Sequence, residues 1–239
     1  MKYRLDHALV QRGLAPTRSQ AESWIRMGRV MVAGVVRQKP GFFVGDIDDI
    51  RLDAPEQYVS RAGLKLASVA KRFRLDFADS VVLDVGSSTG GFTDYALQHG
   101  VRLVYAVDVG TNQLHPSLHD NVRIELHEKT DIRAFYPPEI PTIIVIDVSF
   151  ISLRDILPHI ARIAGRDTAI IAMVKPQFEA ARGQLTGAGV VKNDTIRRRI
   201  LTNFEQWAKH RFVVKDKADS EVKGKSGNHE RFYFLQTAI

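Results

Sequence analysis

Residues 81–94 read Val81-Val82-Leu83-Asp84-Val85-Gly86-Ser87-Ser88-Thr89-Gly90-Gly91-Phe92-Thr93-Asp94, and this stretch decides the fold. An apolar run with one acid is a buried strand, Gly86–Gly91 is a loop of small residues, and Phe92–Gln98 continues as a helix. A strand, a tight loop and a helix in that order open a parallel α/β sheet. The loop is not a P-loop, because no Lys follows Gly91. Nor is it a dinucleotide fingerprint, since Gly86-x-x-x-Gly90-Gly91 lacks the G-x-G-x-x-G spacing. The alternation continues outward: strands at Leu103–Val107, Val122–Leu126, Ile143–Ile146 and Ala169–Val174, helices at Ile151–Ile163 and Ile196–Lys209, and closing strands at Phe212–Lys215 and Arg231–Leu235. The reading is a doubly wound, mostly parallel seven-stranded sheet. Ligands of such sheets bind beyond the carboxyl ends of the strands. Asp84, Asp108, Asp147 and Lys175 all fall there, which makes them the first candidate site residues.

The whole chain has 239 residues, no cysteine, and 34 Lys+Arg against 27 Asp+Glu. Without cysteine there is no disulfide scaffold, thiolate metal site or thiol catalysis. No apolar run has membrane-spanning length, and the N-terminus has no apolar signal-peptide core, so a cytoplasmic protein is expected. The eight His residues show no metal-ligand spacing, and no metal is expected. The net charge of +7 is unevenly spread. Residues 1–40 carry +6, 41–60 carry −4, 61–74 carry +5, 75–181 carry −6 and 182–239 carry +6. Basic flanks around an acidic middle favour a nucleic-acid partner gripped by the flanks, with different work in the middle.

The basic head has its own organisation. Leu5, Ala8 and Leu9 fall at helical spacing up to Gly13. Thr17 opens a second helix with Gln20 completing a capping box, Ala21, Trp24 and Ile25 form its apolar stripe, and Gly28 ends it. Val30–Val32 and Val35-Val36 flank Ala33-Gly34 as a hairpin. Arg4, Arg12, Arg18, Arg26, Arg29, Arg37 and Lys39 stud these elements. Two helices running into Gly28-Arg29-Val30-x-Val32-x-Gly34 resemble the alpha-L RNA-binding domain, a small α+β module. The resemblance implies RNA contacts at Arg4, Arg18, Arg26 and Arg29, with Arg61 on the basic joint beyond it. Contacts of this kind hold phosphates and carry no base readout. The expected boundaries are 1–57 for this domain, 58–74 for a basic interdomain joint, and 75–239 for the α/β domain, with Pro55 near the first boundary.

The run Asp84–Asp94 resembles motif I of S-adenosylmethionine-dependent methyltransferases, with a Rossmann-like fold. That resemblance implies cofactor contacts at Asp84, Gly86, Ser87, Ser88, Thr89, Gly90, Gly91 and Phe92. Gly86 and Gly90 would let the backbone approach the cofactor's amino-acid end, Asp108 would accept the ribose hydroxyls, and Asp131 would take the adenine amino group. Further motifs extend the likeness over nearly the whole chain: Arg61-Ala62-Gly63-Leu64-Lys65-Leu66, Ile146–Ser152, Val174-Lys175-Pro176-Gln177-Phe178-Glu179 and Gly227-Asn228-His229-Glu230. Together they resemble the hemolysin-A/TlyA family of RNA ribose methyltransferases, with an FtsJ-like catalytic domain. The FtsJ-like Lys–Asp–Lys–Glu tetrad falls on Lys65, Asp147, Lys175 and Glu230. Thr89 departs from the family's usual Pro and alters loop stiffness, and no further C-terminal extension is expected.

The resemblance implies a 2′-O-methyltransferase that takes S-adenosyl-L-methionine and acts on ribosomal RNA or ribosomal subunits, as a monomer or weak dimer. Lys175 would take the ribose proton, its charge weakened by Lys65 and burial, with Asp147 holding the amine and Glu230 orienting Lys65 or the ribose. Arg197, Arg198, Arg199, Lys215, Lys217, Lys223 and Lys225 are further candidates for the RNA path, and residues 180–192 are a lid or a long loop. Two rivals stand beside this: a cytolysin, from the family label, and a non-catalytic RNA-binding assembly factor. The three Arg-Leu-Asp tripeptides lack the continuation expected of pseudouridine synthases.

Overall fold

The computed structural model of the chain describes residues 2–15, 17–26, 28–53, 58–224 and 227–238. Pro55 and Lys225 lie outside the described residues. The chain divides into two compact units, 1–61 and 62–239.

In the first unit, strand β1 (Lys2–Arg4) leads into helix α1 (Leu5–Gln11), and helix α2 (Arg18–Arg26) packs on it. Leu5, Leu9, Ala21, Trp24 and Ile25 are buried, so the helical spacing marked the inner faces. The Thr17 hydroxyl accepts from Gln20 N at 3.3 Å, the N-cap half of a capping box, and donates to Gln20 Oε1 at 3.2 Å, side chain to side chain. Strands β2 (Val30–Val32) and β3 (Val35–Val36) form the hairpin. β4 (Phe43–Gly45) pairs antiparallel with β1, and β5 (Ile50–Leu52) with β2. Arg12 is structural: its guanidinium donates to the carbonyls of Gly45, Asp46 and Asp48 and fastens the end of α1 to that turn.

The second unit opens with helix α3 (Arg61–Phe73) on the basic segment, whose buried face carries Lys65, Leu66, Val69, Ala70 and Phe73. Strands β6 (Val81–Val85), β7 (Leu103–Val107), β8 (Ile124–His127), β9 (Ile143–Ile146), β10 (Ala169–Val174), β11 (Phe212–Asp219) and β12 (Arg231–Thr237) make one sheet in the order β11-β12-β10-β9-β6-β7-β8. The middle strands are parallel, whereas β12 runs antiparallel to β10 and β11. Helices α4 (Gly91–Gln98), α5 (Leu153–Ile163), α6 (Pro176–Glu179) and α7 (Asp194–Ala208) fill the connections. Val81, Leu83, Val85, Ile144, Ile146 and Ile170 are buried in the sheet, against Leu153, Ile156, Leu157 and Ile160 of α5 and Phe204 of α7. These strands read as continuous apolar runs because both faces are covered.

Several boundaries move for local reasons. Ser152 Oγ accepts from Arg154 N, so α5 begins at Leu153 rather than Ile151. Asn193 Oδ1 caps α7 at Ile196 N, two residues before the expected start. β8 begins at Ile124 because Asn121 Oδ1 turns the chain at Arg123 N and leaves Val122 exposed. β11 runs to Asp219, with alternate residues exposed along an edge strand, so its polar half hid from a search for apolar runs.

The loop glycines are demanded by the protein's own packing as well. Gly86 has φ +80°, and a Cβ there would lie 2.8 Å from the Asp147 carbonyl oxygen. Gly90 has φ +86°, and its Cβ would meet Leu118 and Leu114 at 2.6 and 2.7 Å. Gly86→Ala is expected to cost about 2 kcal/mol or more in urea unfolding, from a left-handed φ plus a backbone collision. Gly187→Ala, with open space at its Cβ, is expected to change little.

Candidate active site

The parallel strands end at one edge, and the order β10-β9-β6-β7 sets side by side the residues that follow them: Lys175, Asp147, the 86–91 loop and Asp108. Antiparallel β12 adds a residue from the far end of the sequence. Val174 pairs with Arg231, so Glu230 arrives beside Lys175 at the same edge. The tetrad resolves into two ion pairs. Lys175 Nζ lies 2.6 Å from Asp147 Oδ1 and donates to Ser149 Oγ at 2.8 Å. Lys65, projected from α3, places Nζ 2.6 Å from Glu230 Oε2. The lysine and acid side chains are 11% and 13% exposed in the first pair, and 10% and 3% in the second. Buried ion pairs are expensive to desolvate, so two of them at one sheet edge point to chemistry rather than to stability.

Three residues not named as site residues from the sequence complete this frame. Ser149 is the hydroxyl partner of Lys175. Glu179 accepts from Ser152 Oγ and Leu153 N, both at 2.7 Å, and so anchors the loop that follows Asp147. Gly224 faces Glu230: a Cβ there would lie 2.7 Å from Oε1. Ser149 and Glu179 sit in motifs already noted, whereas Gly224 gave no signal, because its approach to Glu230 depends on how the chain folds back there.

In front of this edge is a cavity of about 450 Å³, lined by Gly86, Ser88, Asp108, Asp131, Asp147 and Phe150 among others. A smaller compartment of about 140 Å³ lies against Ala62, Asp84, Ser87, Thr89, Phe92 and Lys175. The two share Gly86, Ser88, Asp147 and Ser149, so they form one cleft. Its size suits a nucleoside-like ligand. Asp108 is held in place by Ser88 N at 2.9 Å and Gly110 N at 2.6 Å, with Gln113 Nε2 at 3.4 Å. Asp131 lines the cleft, but its carboxylate is taken up by Arg133, at 2.6–3.2 Å, which holds its pKa down to about 2. Gly90 and Gly91 sit behind the loop, Gly91 as the buried first residue of α4.

The small compartment carries polar atoms in want of a partner. Asp84 Oδ2 accepts from Thr93 Oγ1 at 2.6 Å, while Asp84 Oδ1 and Ser87 Oγ, both buried, have none. Burial, with the charges of Asp147 and Asp108 adding to it, pushes the Asp84 pKa up to about 7. A ligand with a cationic donor and a nucleoside fits this set: acids for the cation, Asp108 for hydroxyls. Among the described residues, no group of three or more His, Cys, Asp or Glu is arranged to hold a metal ion.

Of the distal candidates, Arg197 donates to Asp219 Oδ1 at 2.6 Å and to the His229 carbonyl at 2.9 Å, and Lys217 pairs with Glu205 at 2.5 Å. Both are engaged in ion pairs of the fold, Arg197 with its side chain 12% exposed and Lys217 with 45%. Arg198, Arg199, Lys215 and Lys223 remain exposed, and residues 184–192 form a small hairpin bridged at Leu185 and Val191. Asn228 fastens that hairpin: Oδ1 accepts from Val191 N and Nδ2 donates to the Gly189 carbonyl.

The profile of the FtsJ-like methyltransferase family matches residues 58–237, and that of the S4 domain matches residues 4–50. The chain belongs to the FtsJ-like methyltransferase family. It is 37% identical to the 16S/23S rRNA (cytidine-2′-O)-methyltransferase TlyA of Mycobacterium tuberculosis, over 98% of this chain and 90% of that protein. It is also 37% identical to hemolysin A of Brachyspira hyodysenteriae, over 95% and 97%. A solved hemolysin structure from Streptococcus thermophilus superposes with a TM-score of 0.73 at 39% identity, covering 99% of this chain and 89% of that one. The expected family and the Rossmann-like methyltransferase fold with a small N-terminal domain are thereby borne out.

The raised pKa of Asp84 has a defined effect on stability. The folded state holds the proton more tightly than the unfolded one, so the contribution is fully present below about pH 4 and is lost as pH rises through about 7. Asp84→Asn is expected to flatten this decline, measured as the urea midpoint between pH 5 and pH 8. An unchanged slope would contradict an Asp84 that titrates near neutrality.

Proposed function

We propose that this chain is an S-adenosylmethionine-dependent methyltransferase that modifies ribose 2′-hydroxyls of ribosomal RNA, free or within ribosomal subunits. The observation that carries this reading is the pair of buried Lys–acid contacts at the mouth of a nucleoside-sized acidic cleft. S-adenosylmethionine supplies a sulfonium-activated methyl group, a strong electrophile that needs no further activation. The small compartment would receive its amino-acid end: Asp84 and Ser87 offer their unpaired oxygens, Gly86, Ser88, Thr89 and Phe92 line it, and Gly90 and Gly91 complete the loop behind them. Asp108, fixed by two backbone amides, accepts the ribose hydroxyls. Asp131 and the backbone beside it border the adenine.

The protein's task is to aim a 2′-hydroxyl along the line of the breaking S–C bond and remove its proton. Lys175 Nζ takes the proton in its neutral form as the O–C bond forms. Asp147 and Ser149 fix the direction of that nitrogen, and the anionic Asp147 balances the ammonium that results. Lys65, held by Glu230, presents a second cation to the ribose. RNA is gripped by Arg4, Arg18, Arg26 and Arg29 in the domain spanning 1–57, and by Arg61 where the basic segment 58–74 begins, while 75–239 carries the cofactor. Such a protein works in the cytoplasm as a monomer or weak dimer. Among the described residues no helix is long and apolar enough to cross a membrane, and the intact tetrad argues for catalysis over a purely binding role.

The test is transfer of tritiated methyl groups to ribosomal RNA. Lys175→Ala is expected to lose about a hundredfold or more in rate while still binding S-adenosylmethionine. Equal incorporation by both proteins would overturn the assignment. Gly224→Ala is expected to slow transfer roughly tenfold by displacing the Glu230 carboxylate, and to cost little further in a Glu230→Asp background, where the shorter side chain vacates the clash.

A further inference from the structure

Arg4 and Arg18 leave the backbone at different places, one before α1 and the other at the first turn of α2, yet both guanidiniums end on a single carboxylate. Arg4 Nε lies 3.1 Å from Asp6 Oδ1, and Arg4 Nη2 lies 2.8 Å from Oδ2. Arg18 Nε reaches the same Oδ2 at 3.1 Å. His7 N donates to Oδ1 at 2.9 Å, so both carboxylate oxygens are fully used. Asp6 is 0% exposed, whereas the arginine side chains are 46% and 57% exposed. Burial opposes ionisation of Asp6, but the bonds from Arg4 and Arg18 outweigh it and hold its carboxyl below the ordinary range. Gly41 leaves room for Arg4, since a Cβ there would come within 3.3 Å of Nη1.

Two guanidiniums side by side repel each other, and long exposed side chains lose rotamer freedom when fixed. A buried carboxylate beneath them removes both difficulties. It neutralises one of the two charges from the inside and holds the remaining N–H donors in a set direction, with Glu22, whose Oε1 lies 3.7 Å from Arg18 Nε, as a second acid beside the pair. Each guanidinium has five N–H donors, and Asp6 uses only a few of the pair's total. The spare donors suit the two free oxygens of a phosphodiester, which planar guanidiniums bind in bidentate fashion.

We propose that Asp6 is a positioning residue for RNA, a buried acid that locks Arg4 and Arg18 into one clamp for a single backbone phosphate. The proposal rests on the reading of Arg4 and Arg18 as RNA contacts, and its test separates the two. Removing an acid raises the protein's net charge from +7 by one unit, so general electrostatics predicts tighter RNA binding by Asp6→Asn. A clamp predicts the opposite sign. With full-length protein and deproteinised 16S and 23S rRNA in a filter-binding titration, Asp6→Asn is expected to weaken binding about five- to tenfold and to lower the salt slope by about 0.9, one phosphate's worth. Arg4→Ala and Arg18→Ala are each expected to weaken it similarly, and the double variant little more than either, because the two act as a unit. Thermal unfolding checks that the variants are folded. If Asp6→Asn does not fold, the arginine double-mutant cycle alone decides, since multiplicative losses there would overturn the clamp. Equal or tighter binding by Asp6→Asn, alongside losses in the arginine variants, overturns the role of Asp6 and leaves the RNA reading standing. No loss in Arg4→Ala or Arg18→Ala overturns both.

Discussion

The chain turns at Gly86 so close to the Asp147 carbonyl that a methyl group does not fit between them. That approach welds the loop after β6 to the end of β9. It sets the distance between the small compartment, where Asp84 and Ser87 keep unpaired oxygens, and the Asp147–Lys175 pair at the neighbouring strand ends. A methyl-transfer site must hold donor and acceptor within a narrow range of separation and angle. Here the backbone of the sheet edge fixes that range, with the side chains added afterwards. Glu179 secures the far side, bonding to Ser152 and Leu153 so that the loop carrying Ser149 cannot swing away.

The charges then divide by function. Asp84, Asp108, Asp131 and Asp147 gather on the cleft, where a cationic cofactor offsets their mutual repulsion. Burial, with the repulsion from Asp147 and Asp108 added, raises the pKa of Asp84. The two lysines of the cleft each have an acid of their own, so neither amine is buried without a partner. The same device recurs in the first unit, where Asp6 stands beneath Arg4 and Arg18.

Much of this was legible in the sequence because it is local. Buried parallel strands announce themselves as apolar runs, and the residue after each run is a candidate by topology alone; Asp108, Asp147 and Lys175 were found that way. The cap at Thr17 and Gln20 was equally plain, since both residues lie within one turn. What was hidden is what depends on pairing. The contact of Glu230 with Lys65 was implied by the resemblance alone: no spacing in the chain encodes it, and the antiparallel register of β12 on β10 brings Glu230 to that edge. Arg197 looked like a surface cation until Asp219 and the His229 carbonyl claimed it. The packing need at Gly86 and Gly90 was hidden too, since their neighbours there are Asp147, Leu114 and Leu118. Asp131 lines the cleft, and its closest partner is Arg133, two residues on.

The central claim is that this sheet edge methylates ribose hydroxyls of ribosomal RNA. Its most direct test is a map of 2′-O-methylated nucleotides, by resistance to alkaline cleavage, on 16S and 23S rRNA from cells with the gene and from cells lacking it. The account predicts at least one site fully modified in the first and unmodified in the second. Identical maps would contradict it.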